Sequence, residues 1–186
     1  MPLKIGQRPD HGFDEPLQLL SDCHRRIEHF LEVLRTITKQ VSGGALDDSQ
    51  RAQLHSAIDY FTVAGPRHTA DEEESLFPRL AASADAEARK SIETLERLEG
   101  DHANAAAHHE QVDILVRRWM ADGALPPSDV NDLSERLDLL AALYSAHIAV
   151  EDRELFPAAG RVLSSDDVQA IGREMAARRK PQQPKS

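Results

Sequence analysis

Apolar positions recur along this chain in alternating steps of three and four. The first run is Leu17, Leu20, His24, Ile27, Leu31, Leu34, Thr38 and Val41, and it stops at Gly43-Gly44. The second is Leu54, Ile58, Phe61, Gly65, His68, Glu72 and Ser75. The third is Leu95, Leu98, His102, Ala105, His109, Val112, Val116 and Trp119, and the fourth is Leu133, Leu137, Leu140, Tyr144, His147, Glu151 and Glu154. Steps of three and four keep one stripe on one side of an α-helix, the pattern of helices packed along a seam. Short connections then favour an all-α fold, an up-down-up-down antiparallel four-helix bundle.

Local signals set the boundaries. Asp14 and Pro16 predict the first helix start, the Asp-Asp-Ser run at 47–49 predicts the cap of the second, and Pro126-Pro127 separates the third from the fourth. Gly65-Pro66 predicts a kink in the second helix, and Gly100 a bend near the start of the third. Residues 84–92 read as a helical lead-in to that third helix. Ser164-Ser165-Asp166-Asp167 predicts a cap for a short additional C-terminal helix with Val168, Ile171 and Met175 on one face. The expected organisation is an N-terminal arm over 1–13, a bundle over 14–160, and a short helix with a disordered tail over 161–186.

The seams are interrupted by polar residues at matching heights. His24, His68, His102 and His147 fall one on each seam, and their distances from the neighbouring helix ends agree within two residues, or ~3 Å of rise. In an antiparallel bundle they meet in one layer, nearer one end. The stretch His68–Pro78 (HTADEEESLFP) recurs as His147–Pro157 (HIAVEDRELFP), identical at six positions. Each copy sets a glutamate, Glu72 or Glu151, four residues after its histidine and so on the same helix face. The offsets of 78 residues from His24 to His102 and 79 from His68 to His147 suggest a duplicated helical hairpin.

A single seam histidine is most simply a hydrogen-bonded core residue. Four in one layer with two glutamates are costly to bury without a cation, because each unpaired carboxylate costs several kcal/mol or is neutralised. Two carboxylates bridging two divalent cations remove that penalty. Imidazole with carboxylate suits iron, manganese or zinc. The candidate metal ligands are therefore His24, His68, Glu72, His102, His147 and Glu151.

Composition narrows the alternatives. The formal charge of −10 over 186 residues argues against nucleic acid as a partner, since phosphate binding needs a basic face. No apolar run reaches the length of a membrane span, and the N-terminus lacks a signal-peptide layout. One cysteine, Cys23, forms no internal disulfide and points to a reducing cytoplasm.

At these residues the chain resembles the hemerythrin-like (HHE cation-binding) family. The matching elements are Asp22-Cys23-His24, His68/Glu72/Glu73 with Leu76-Phe77-Pro78, Asp101-His102, and His147/Glu151/Asp152 with Leu155-Phe156-Pro157, across residues 15–160. The resemblance implies a four-helix bundle around a non-heme di-iron centre with carboxylate bridges. Its members bind dioxygen, sense oxygen, iron or nitric oxide, or take part in redox defence. The oxygen carriers have a second histidine one turn after the helix-three ligand, where this chain has Ala106. Their last helix carries H-x4-D, which His147 and Asp152 satisfy, though Glu151 fits the H-x3-E of the repeat better. The glutamate-first motif of ferritin-like sites, Glu-x-x-His, runs in the opposite order.

The expected function is thus binding or sensing of dioxygen, nitric oxide or peroxide at two iron ions (Fe2+/Fe3+), with manganese or zinc as substitutes. The alternatives are a di-iron oxidoreductase turning over peroxide or nitric oxide, and a metal-stabilised structural bundle. Among the remaining residues, Glu28 reads as a surface group beside the ligands, with a seventh ligand as the alternative, and His109 as a core residue two turns from His102, with metal contact as the alternative. Tyr144, one turn from His147, reads as a packed seam aromatic or as a hydrogen-bond partner of a ligand or bound oxygen species. Glu73 and Asp152 are expected to orient imidazoles or face solvent, Cys23 to be an inert thiol, and His11, His29, His55 and His108 to be surface groups. Leu76-Phe77 and Leu155-Phe156 should plug the near end of the bundle, with Pro78 and Pro157 marking where those helices stop or turn.

Overall fold

A computed structural model of the chain describes residues 11–83 and 92–180. The helical lead-in expected over 84–92 lies outside the described residues except for Ile92, as do most of the N-terminal arm and the tail beyond Lys180. Every element among the described residues is helical, with no strand. In chain order the elements are α1 (Pro16–Val41), α2 (Asp48–Asp71), a π-helical turn π1 (Glu72–Leu76), α3 (Phe77–Ala82), α4 (Ile92–Asp122), α5 (Pro127–Val150), a second π-helical turn π2 (Glu151–Leu155), α6 (Phe156–Val162) and α7 (Ser165–Arg178). None is long and apolar enough to cross a membrane among the described residues.

The helix ends follow local chemistry. Pro16 occupies the first turn of α1, where its missing N–H costs nothing. That helix closes on Ser42 and Gly43 with positive φ, and Gly43 admits no Cβ because the Leu125 carbonyl lies against it. Asp47 and Gln50 form a reciprocal capping box on α2, and Ser164 and Asp167 form one on α7.

Long helix α1 packs on α2 and α5, and α4 packs on α5 and α2, an arrangement that fits a helical bundle. Two apolar clusters fill it. The larger holds Leu31, Leu34, Ile58, Val112, Trp119, Leu133, Leu137 and Leu140. The smaller holds Leu17, Leu20, Leu76, Phe77, Leu98, Leu155 and Phe156, and includes Ile171 and Met175 from α7. Each fully buried Leu contributes about 1.5–3 kcal/mol relative to exposure. As expected, the two Leu-Phe pairs close the near end, and α7 joins that plug.

Helix α4 runs from Ile92 to Asp122 through Gly100, and α2 runs through Gly65-Pro66 as far as Asp71, each as one element. One expectation needs correction: Pro78 and Pro157 do not stop their helices. The Phe77 N–H bonds the Glu72 carbonyl and the Phe156 N–H the Glu151 carbonyl, five residues back. One residue is thereby inserted into the turn before each proline. In a regular α-helix the ring would press on the carbonyl four residues earlier; the wider turn relieves this and the chain continues as α3 and α6. Single π turns of this kind cluster at functional sites.

Candidate metal centre

The π turns begin at the two glutamates. Glu72 opens π1 and Glu151 opens π2, and both are fully buried. His24, His68, His102 and His147 are also buried and surround them. The rings of His24 and His68 meet edge-on with centroids 5.0 Å apart, and those of His102 and His147 stand 4.6 Å apart. The six candidate ligands predicted from the sequence are thus brought together between the two apolar clusters.

They form two overlapping groups whose donor atoms could each hold a metal ion: His24, His68 and Glu72, and Glu72, His102, His147 and Glu151. Glu72 belongs to both. Its Oε1 lies 3.4 Å from His68 Nε2 and 3.8 Å from His24 Nε2, while its Oε2 lies 3.3 Å from His102 Nε2. Glu151 belongs to the second group, and a single oxygen, Oε2, lies 3.1 Å from both His24 Nε2 and His147 Nε2.

All four carboxylate oxygens of these glutamates, with Nε2 of His24 and of His102, are buried without a hydrogen bond of acceptable geometry. Buried polar atoms are almost always satisfied, so this set requires an explanation. The atoms face a common centre instead of pairing with each other, the disposition of a donor set around a cation. The residues therefore fit a bound metal, and its charge would offset their burial.

The opposite ring nitrogens are held from outside. His24 Nδ1 lies 2.9 Å from Asp152 Oδ1, His102 Nδ1 lies 2.8 Å from Glu73 Oε1, and His147 Nδ1 lies 3.4 Å from Asp101 Oδ2. Such contacts fix the ring and its tautomer, and they leave Nε2 for the centre. Glu73 and Asp152 do what the sequence suggested. The role of Asp101 was not foreseen, although its place beside His102 is part of the motif. The Nδ1 of His68 makes no such bond among the described residues. Phe156 stacks on the His24 ring at 5.4 Å, and Phe77 lies parallel to the His102 ring at 6.2 Å.

Without a cation, protons carry the compensating charge. Burial disfavours a charged His24, but Asp152, Glu151 and Glu72 outweigh it and hold its pKa well above the usual value. Burial likewise opposes charge on His102, yet Glu72 and Glu73 raise it to about 9. Burial would push the Glu72 carboxyl up, but His68, His102 and His24 bring it far below the ordinary carboxylate range. A metal ion would replace those protons.

Other residues fall outside both groups. Glu28 is exposed on α1. His109 accepts from or donates to the Tyr144 hydroxyl at 2.9 Å and stacks on Phe61 with centroids 4.1 Å apart. Cys23 is buried, and Arg26 Nη2 donates to its sulfur at 3.1 Å. Burial raises the Cys23 thiol, but His68, Arg26 and Arg179 together leave it below the usual value. Of the histidines expected at the surface, His55 pairs with Asp59, while the His11 backbone N–H donates to buried Asp22.

A cavity of about 870 Å³ opens between α2 and α4. It reaches His24, His68, His102 and His147 and is walled by Ile58, Phe61 and Ile148. Ala106 lines it and is solvent-exposed. The alanine is therefore at the edge of the layer rather than packed inside it.

Comparison with curated proteins found no match. The model of the hemerythrin HHE cation-binding domain matches residues 15–159, which include both copies of the repeat and all six converging side chains, so the chain belongs to the hemerythrin HHE cation-binding family.

Proposed function

We propose that the chain is a non-heme di-iron protein that binds or senses dioxygen, nitric oxide or peroxide. The observation that carries this is Glu72, whose two bare oxygens face different histidine groups. A carboxylate so placed would be shared between two cations. His24 and His68 would hold one ion, His102 and His147 the other, with Glu72 and Glu151 shared. Imidazole with carboxylate suits iron, and manganese or zinc would substitute. When bound, the iron pair supplies one-electron redox chemistry and open positions for a small ligand.

The chain's own residues set the conditions. Asp152, Glu73 and Asp101 turn Nε2 of three imidazoles inward. Phe77 and Phe156 cover the layer from the near end and limit water there. The cavity between α2 and α4 offers a route for the ligand.

The cross-helix pairs Ser21–Asp152, between α1 and π2, and Arg35–Asp138, between α1 and α5, support the antiparallel up-down-up-down reading of the bundle. The single cysteine suits a cytoplasmic setting. Metal content and the visible spectrum of protein made in iron-supplied cells test the proposal. Two irons per chain and a near-ultraviolet band of bridged ferric ions are expected. Zinc alone, with no iron uptake on anaerobic reconstitution, would refute it.

A second reading is an oxidoreductase on the same centre. The cavity favours it, being far larger than a diatomic molecule needs. Steady-state consumption of peroxide or nitric oxide separates turnover from sensing.

A further inference from the structure

Helix α7 is not a loose appendage. Its Ile171 and Met175 are fully buried in the near-end cluster, and Gly172 lies against the Phe13 carbonyl so closely that a Cβ would not fit. The helix packs on α1, α2 and π1. Its last residues then make an unusual polar contact. Asp71, fully buried immediately before Glu72, accepts from Arg178 Nη1 at 2.9 Å and from Arg179 Nη2 at 2.6 Å. Arg178 Nη2 also donates to the buried Ser75 hydroxyl at 2.9 Å and to Glu74 at 3.1 Å. From the other side Arg79 donates to the Ser75 carbonyl at 2.7 Å while its second nitrogen bonds Glu174 of α7, also at 2.7 Å.

The π1 turn that carries Glu72 is therefore gripped along its length by α7. The second copy of the repeat lacks the residues that make this grip. Val150 stands where the second copy would need Asp71, and Ala158 where it would need Arg79. A buried charge cluster is a poor way to gain stability, because desolvation cancels much of the attraction. Apolar contacts such as those of Ile171 and Met175 would dock α7 by themselves. What directional charged contacts add is a single fixed geometry.

We propose that α7 is part of the metal-binding machinery: Asp71, Arg178 and Arg179 are positioning residues that hold π1 so that Glu72 faces both metal positions, and α7 docking and metal binding favour each other. This rests on the reading of Glu72 as a bridging ligand. Linkage makes the effect reciprocal. A bound metal tightens α7, and release of α7 loosens the metal. The helix is then the element through which the state of the centre reaches the surface.

The test uses the full chain with Co2+ as a spectroscopic divalent probe. Co2+ release to a chelator and hydrogen exchange of the α7 amides are measured for the unaltered protein and for Asp71→Asn. In the unaltered protein Co2+ should slow α7 exchange several-fold. In Asp71→Asn, α7 exchange should no longer respond to Co2+, and release should quicken by about tenfold, the scale of outer-shell effects on metal affinity. A merely structural role would raise α7 exchange by the same factor with and without Co2+, and would leave the release rate and the Co2+ absorption spectrum unchanged; that result overturns the proposal. Arg178→Gln leaves Asp71 charged and paired with Arg179, and carries the same readouts if Asp71→Asn does not fold. Absence of Co2+ uptake by the unaltered protein would defeat the bridging reading and the coupling with it. Uptake with α7 exchange unaltered would defeat the coupling alone.

Discussion

Asp152 Oδ1 stands 2.9 Å from His24 Nδ1, so a residue in π2 sets the ring of a candidate ligand on α1. The relationship has a counterpart. Glu73, at the equivalent place in π1, sets His102 on α4 at 2.8 Å. Stacking of Phe156 on His24 and of Phe77 along His102 repeats the same exchange. Each half of the duplicated sequence thus orients the imidazole contributed by the other half. Asp152→Asn should keep the fold, because the side chain is about one-third exposed. It should weaken metal binding by about tenfold or more, because the ring loses a basic partner. Competition against a chelator of known affinity measures this, and unchanged affinity would remove Asp152 from the site.

The two glutamates and the terminal histidines should behave differently on removal. Glu72 belongs to both donor groups, so Glu72→Ala should release both ions together, and Glu151→Ala should do the same. His24→Ala should weaken chiefly one ion, since its Nε2 faces one side of the bridge. Metal stoichiometry by elemental analysis distinguishes the cases. Full occupancy in either glutamate variant would contradict bridging.

Metal should also stabilise the fold, by RT ln(1 + [L]/Kd) for binding to the native state alone, or about 4 kcal/mol at a thousandfold excess over Kd. The apo-protein is expected to remain folded. The larger apolar cluster, which includes Leu34, Trp119 and Leu137, lies outside the layer and does not depend on the ion. Protonated His24 and His102 also offset part of the carboxylate charge in its absence. Thermal melts with and without metal provide the measurement, and identical midpoints would mean that these side chains do not bind it in the native state.

The sequence carried the helices and the convergence of the six polar residues because both depend on periodicity. A histidine and a glutamate four apart on a seam have one geometric outcome when two copies face each other. The π turns were not legible. A proline after Leu-Phe reads equally as a stop, and only the carbonyl that Phe77 or Phe156 reaches tells the two apart. The Asp71–Arg178–Arg179 cluster was also out of reach, because its partners are 107 and 108 residues apart and no period relates them. Helix α4 passes through Gly100 as one element, since a single glycine costs a helix only about 1 kcal/mol.

His109 provides a pH test away from the ligands. Burial, with a smaller contribution from His108, lowers its pKa to about 4. The unfolded chain takes up a proton near the ordinary value of about 6.5, while the folded protein does not until about pH 4. Stability from this group is therefore undiminished above about pH 6.5 and falls as pH drops toward 4, by a total on the order of 3 kcal/mol. Denaturant unfolding of the unaltered protein and of His109→Phe across that window is the check. The variant should lose this part of the slope, after allowing for the lost bond to Tyr144. Parallel slopes would show that His109 is already protonated in the fold.

Ala106→His tests the missing imidazole. Ala106 lies one turn beyond His102 on α4 and lines the cavity that reaches the centre. Because the alanine is solvent-exposed, a larger side chain there meets open space, and the overpacking cost of a closed core does not arise. The new ring has two options, to swing into the cavity toward the ion near His102 and His147 or to remain in water. Coordination of a partly open cation favours the first. An imidazole so bound would replace a water and leave fewer open positions, so azide or dioxygen adducts should dissociate more slowly and any peroxide consumption should fall. The adduct's visible absorption after rapid dilution gives the lifetime directly. A folded, iron-loaded variant with the same adduct lifetime and the same turnover would show that position 106 does not address the metals, and Ala106 would then not explain why this chain departs from an oxygen carrier's ligand set.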